Sequence, residues 1–128
     1  ENTDSSHRVL VFDHHHSGGR WLGMVLECTP GCEFVGHATS PDQLEAMVVE
    51  SRAGVVLMNL KDTLAGDKDL LQRIKRIRPG IKIFLMEEED SSVYHDQAGK
   101  LGAQGFISKK ALTEGRTGLV EVIEGQSE

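Results

Sequence analysis

Few residues in this chain have the means to do chemistry. An apolar run, Val55-Val56-Leu57-Met58, delivers Asn59 to the point where polar, turn-prone residues begin. An amide there accepts and donates hydrogen bonds, but it carries no charge and is a poor nucleophile. A second run, Val9-Leu10-Val11-Phe12, ends on Asp13 and three consecutive histidines, His14-His15-His16. One carboxylate beside imidazoles offers acid-base chemistry or a site for zinc or a related ion. Consecutive loop residues rarely aim at one point, and metal sites collect ligands from separated segments. The three therefore read as solvated or hydrogen-bonded loop histidines. Cys28 and Cys32 flank Thr29-Pro30-Gly31, a spacing and count that make neither a metal site nor a disulfide framework. They read as small, partly buried side chains at a helix end rather than as a redox switch, since cytosolic thiols stay reduced.

The elements that must position these residues follow from the apolar pattern. Residues 7–13 form a strand buried on both faces, followed by a loop over 14–19 with Ser17 as a candidate cap. Trp21, Leu22, Val25 and Leu26 recur at helical spacing until Pro30-Gly31 stops them. A short strand covers 33–38. Ser40-Pro41-Asp42 then opens a helix with cap, first-turn proline and acid in order, its inner stripe being Leu44, Met47 and Val48. Gly54 leads into the central strand ending at Asn59, and 61–68 reads as a polar loop. Leu70, Leu71, Ile74 and Ile77 face inward on a helix whose outer side carries Arg73, Lys75, Arg76 and Arg78.

The fourth strand covers 81–86. The acids Glu87-Glu88-Glu89-Asp90 follow as the solvated start of a polar helix over 91–101, with Val93, Ala98 and Leu101 inside. A fifth strand spans 102–107. One last helix, about 112–123, contacts the core through Leu119, Val120 and Ile123. Gly115 and Gly118 weaken it by roughly 1 kcal/mol each relative to alanine.

Five strands alternating with five helices predict an α/β fold with a doubly wound, five-stranded parallel sheet of flavodoxin-like layout. At 128 residues this is one domain, able to bury about two-thirds of its unfolded surface. Net charge is −6, which disfavours a direct nucleic-acid surface. No apolar run approaches the roughly 20 residues that span a bilayer. The sequence opens without a charged, apolar leader, which predicts a cytoplasmic protein, and it begins at Glu1, which reads as a piece of something longer. In such sheets ligands bind past the strand C-termini. Those positions are Asp13, His14 and His15, then Asn59, then Met86 and Glu87, then Lys109.

From Arg8 to Gly125 the chain resembles the receiver (phosphoacceptor) domains of bacterial two-component response regulators. The resemblance rests on Arg-Val-Leu-Val-Phe-Asp-His-His at 8–15, Val-Val-Leu-Met-Asn-Leu at 55–60, and Leu-Gly-Ala-Gln-Gly-Phe-Ile-Ser-Lys at 101–109. The last is the most specific. The family's chemistry implies two adjacent acids and a phosphoacceptor aspartate around magnesium, a hydroxyl after the fourth strand and a lysine after the fifth. Carried onto this chain, the acid pair becomes Asp13 and His14, the phosphoacceptor Asn59, the hydroxyl position Met86, the switch aromatic Phe106 and the lysine Lys109.

These departures predict a pseudo-receiver. One carboxylate of three remains for a cation that wants hard oxygen ligands, so no magnesium is expected. Asn59 lacks the anionic oxygen that attacks phosphorus. Met86 would plug the crevice with an adaptable apolar chain. Asp13 and Lys109 are expected to pair directly, with Asn59 bridging, and Phe106 to be held in one state. The resemblance further implies a regulatory and dimerisation module for a transcription regulator, forming a homodimer through its first and last helices or its last helices. DNA would be bound only through an output domain absent from this sequence, of the LuxR type by resemblance. Expected boundaries are a disordered tail at 1–6, the receiver-like domain at 7–125 and the start of a linker at 126–128. The competing readings are a sensor whose small ligand in the crevice controls dimerisation, and an enzyme using Asp13 and His14. The second lacks a nucleophile and a cofactor loop, and the chain is read as no enzyme.

Overall fold

A computed structural model describes residues 6–14, 16–66, 69–115 and 118–125. The expected linker at 126–128 and all of the expected tail but Ser6 lie outside them. Five strands are present: β1 (His7–Phe12), β2 (Cys32–Ala38), β3 (Val55–Asn59), β4 (Lys82–Glu87) and β5 (Gly105–Ser108). They form one parallel sheet in the order β2-β1-β3-β4-β5, with Leu57 of β3 in register with Val11 on one side and Phe84 on the other. This is the expected doubly wound sheet, and β3 is its middle strand.

Strand alternation divides the core into two layers. Leu10, Phe12, Val56, Met58, Ile83, Leu85 and Phe106 face the layer that also takes in Leu44, Val48, Leu70, Leu71, Ile74 and Ala98. Val9, Val11, Val55, Leu57, Phe84, Met86 and Ile107 face the other, closed by Leu22, Leu26, Leu119 and Ile123. Because β3 has helices on both sides, all four of its apolar residues are buried, which is why it reads as an unbroken apolar run.

The helices depart from expectation in three places. α1 (His16–Glu27) begins inside the expected loop, so Ser17 lies within it rather than before it. α2 (Pro41–Ser51) starts as expected, Ser40 Oγ accepting from the Gln43 N–H. The stretch expected as a polar loop after Asn59 instead carries α3 (Leu60–Ala65) before α4 (Leu70–Ile77). α3 forms because Leu60 is fully buried in the first layer and Asn59 supplies a cap. α5 (Ser92–Leu101) is capped by Ser91 and ends on Gly102, whose φ of 90° favours a residue without Cβ.

The expected last helix is two, α6 (Lys109–Thr113) and α7 (Leu119–Ile123), with Gly115 at φ 74° turning the chain after α6. Seven helical segments therefore stand among the described residues where five were expected. Ile77 and Val93, expected inside, are exposed. Ile77 is the last residue of α4 and Val93 lies in the first turn of α5.

Candidate functional site

The exits of β1, β3, β4 and β5 meet at the crevice rim, and each predicted residue there has a definite occupation. Asn59 is both the last residue of β3 and the N-cap of α3. Its Oδ1 accepts from the Asp62 N–H at 3.1 Å, and its carbonyl accepts from Thr63 Oγ at 2.8 Å. The amide oxygen thus serves a helix terminus. The expected bridge to Asp13 and Lys109 is not what this oxygen makes: the helix begins at once, and its free N–H groups are the nearest donors.

Asp13 is buried, and Lys109 Nζ lies 3.9 Å from its Oδ2. That is an ion pair at the limit of contact rather than a hydrogen bond. Pairing lowers the cost of holding a carboxylate out of water. The Asp13 backbone is fixed on both sides: its N–H donates to Ala38 O at 3.1 Å, and its carbonyl lies 3.0 Å from His37 Nε2. Gly19 permits this, since a Cβ there would overlap the His37 ring.

His14 turns away toward the exit of β2, its Nδ1 3.1 Å from Thr39 O and its ring edge-on to Phe12 at 5.2 Å. His15 lies outside the described residues, as does the side chain of His16, so the run of three is represented only by His14. Among the described residues, no three His, Cys, Asp or Glu side chains gather as metal ligands. The donor set does not fit magnesium: Asp13 faces Lys109, the Asn59 oxygen caps α3, and His14 brings a nitrogen pointed elsewhere.

The largest correction concerns β4. Met86 does not plug the crevice; it is buried in the second core layer with Phe84, Ile107 and Leu119. The strand runs one residue further than expected, and alternation sends the next side chain, Glu87, to the crevice instead. Glu87 is only 7% exposed. Its Oε2 accepts from the Lys61 N–H at 2.8 Å, and its Oε1 lies 3.9 Å from Lys61 Nζ. In the sequence Glu87 looked like one of four solvated acids. Extending the alternation of Ile83 and Leu85 by one step would have singled it out.

The rest of the acidic block disperses. Glu89 Oε1 lies 3.8 Å from Lys110 Nζ, and Asp90 Oδ1 lies 2.7 Å from His95 Nε2. Glu88 contributes its carbonyl, which accepts from Ser108 Oγ and the Lys110 N–H at 3.1 Å each. Ser108, which the sequence reading passed over, caps α6 by accepting from the Ala111 N–H at 3.1 Å, and so sets where Lys109 begins. Phe106 is buried under Tyr94 and His95, ring centroids 5.5 and 5.0 Å away.

The cysteines are free. Cys28 is exposed just past α1, while Cys32 opens β2 rather than ending a helix. Burial, and secondarily the Glu124 carboxylate, pushes the Cys32 thiol up to about 11. It is a protonated, unreactive thiol at neutral pH.

No family model matches the chain. It is 26% identical over 117 residues to the response regulator GacA of Pseudomonas viridiflava, a match covering 91% of this chain and 52% of that protein. The chain thus spans about half the length of the curated relatives it matches. Among solved structures, the isolated REC domain of RcsB from Salmonella enterica serovar Typhimurium, determined with the phosphomimetic BeF3−, superposes with a TM-score of 0.75 at 20% identity. That superposition covers 96% of this chain and 92% of that one. A LuxR-family two-component response regulator from an Aurantimonas species gives 0.75 at 22% identity, over 94% of this chain and 84% of the other. The strand order and these likenesses agree: the chain has the fold of response-regulator receiver domains and is similar in sequence to about half the length of response regulators.

Proposed function

We propose that this domain is a pseudo-receiver: a regulatory module that works without accepting phosphate and without magnesium. The observation that carries this reading is Asn59, whose uncharged amide stands at the end of the middle strand with its oxygen spent on the α3 cap. Phosphoryl transfer to a side chain needs an anionic oxygen free to attack, and this one is neither anionic nor free. Lys109 is matched by Asp13 within the chain, which supports a structural role for the pair.

The relatives named as response regulators are about twice as long as this chain, consistent with a separate output domain in the whole protein that binds DNA. No described helix is long and apolar enough to cross a membrane; the likeness to response regulators supports a cytoplasmic regulator. An apolar hollow of about 440 Å³ between α1 and α6, lined by Trp21, Met24, Val25, Cys28 and Leu112 among others, supports a homodimer through the first helix and α6, the opening part of the expected last helix. Met24 at its rim is 64% exposed.

The test is incubation with a small phosphodonor and magnesium, read by intact mass. The expected spectrum is unchanged; a single phosphate adduct overturns the reading. Sedimentation of the untreated sample over a concentration series should show monomer giving way to dimer.

A further inference from the structure

We propose that the Glu87 carboxylate is a resident anion at the crevice rim beside Asp13, holding the β3–α3 connection to β4 and, through Lys61, setting the position of Tyr94 beside Phe106. This rests on the phosphate-independent reading above and says what takes the place of an external anion. Two separate groups of Lys61 turn to Glu87: the main-chain N–H at 2.8 Å and the ammonium at 3.9 Å. A polar group as buried as Glu87 is costly unless donors meet it, and charge-assisted bonds of this length are the stronger kind.

The same ammonium lies 5.8 Å over the Tyr94 ring, within reach of a cation–π attraction. Tyr94 in turn lies against Phe106 at 5.5 Å. β4, the start of α3, α5 and β5 are thereby linked by a series of four side chains, with Glu87 at one end and the largely exposed Lys61 side chain next to it. Glu87 is the only member of that series that supplies negative charge. Without it the Lys61 N–H faces the crevice unpaired, and the Lys61 side chain has one reason fewer to lie along Tyr94.

The test uses Glu87→Ala and Glu87→Gln in the 128-residue chain, read by amide and ring NMR. Tyr94 is the chain's one tyrosine, so its ring signals need no deconvolution. In Glu87→Ala the Lys61 amide should lose protection from exchange by about tenfold or more, and the Tyr94 signals should move. Formate in excess should restore both in the variant and leave the wild type unchanged. Glu87→Gln, which keeps shape but not charge, should move the Tyr94 signals by itself, and it carries the test should the alanine variant fail to fold. Lys61 and Tyr94 signals coinciding with the wild type in either folded variant overturn the proposal. So does formate that leaves a perturbed Glu87→Ala unrestored. A phosphate adduct on the wild type would instead sink the pseudo-receiver reading and leave these NMR outcomes to stand or fall separately.

Discussion

The two rims of this sheet are built from opposite chemistry. All five strands run the same way, so the returning helices present N-termini at the crevice rim and C-termini at the far rim. At the crevice rim, oxygens take up first-turn N–H groups: Ser40 for Gln43, Asn59 for Asp62, Glu87 for Lys61, Ser91 for Val93 and Ser108 for Ala111. At the far rim, cations from other elements take up last-turn carbonyls. The Arg8 guanidinium reaches Ser51 O at the end of α2 at 2.7 and 2.9 Å, and Lys82 Nζ reaches Ile123 O at the end of α7 at 2.7 Å. Lys75 Nζ likewise meets Gly102 O past α5. Much of the polar material that looked like a reaction centre is thus accounted for by helix ends. The far rim holds the fold with cations, while the crevice rim holds it with side-chain oxygens.

That contrast can be broken by substitution. The largest effect is expected at the far rim: Arg8→Ala removes two charge-assisted bonds to one carbonyl and should cost about 2 kcal/mol in urea unfolding. Its exposed pair with Glu33 contributes little, so Glu33→Ala should cost about 0.5 kcal/mol or less. If the two variants proved equally mild, cations at this rim would be decoration.

At the crevice rim the effect is smaller and depends on side-chain chemistry. Asn59→Ala should cost about 1 kcal/mol through loss of the α3 cap, while Asn59→Asp, an equally good cap, should stay within a few tenths. Asn59→Asp should still take no phosphate from a small donor, because a histidine, His14, follows Asp13 and an acid, Glu87, rather than a hydroxyl ends β4. An adduct on that variant would show that the rim keeps more of its chemistry than its contacts suggest.

The smallest effect concerns Cys32. Its folded pKa is raised from the ordinary 9.0 to about 11, so the folded chain keeps this proton longer than the unfolded one. The stability it contributes is complete below pH 9.0 and is lost as pH rises through about 11. Near neutral pH, iodoacetamide followed by peptide mass analysis should label Cys28 well before Cys32.

The sheet was legible because each strand is an apolar run between polar flanks, and Ser40-Pro41-Asp42 announced its helix without tertiary help. α3 was not legible: Leu60 looked like the tail of a strand, and only its burial turns the polar residues after it into a helix. The last helix was read too long because Gly115 was counted as a weak helical residue, whereas its positive φ turns the chain. At the crevice, Asp13 and Lys109 are expected to pair, and their charged groups lie 3.9 Å apart. The error of one residue at β4 exchanged a thioether for a carboxylate. Where a strand ends decides which face its last side chain takes, and an acidic run gives no alternation to mark that end.

One irregularity of β2 bears on how copies of this domain can meet. Phe34 is in register with Val9 but Gly36 with Leu10, so Val35 is left over as a bulge on the outermost strand. A bulge twists an edge and spoils it as a flat template for another strand. Continuous sheet extension across β2, one of the two edges of this sheet, is thereby discouraged.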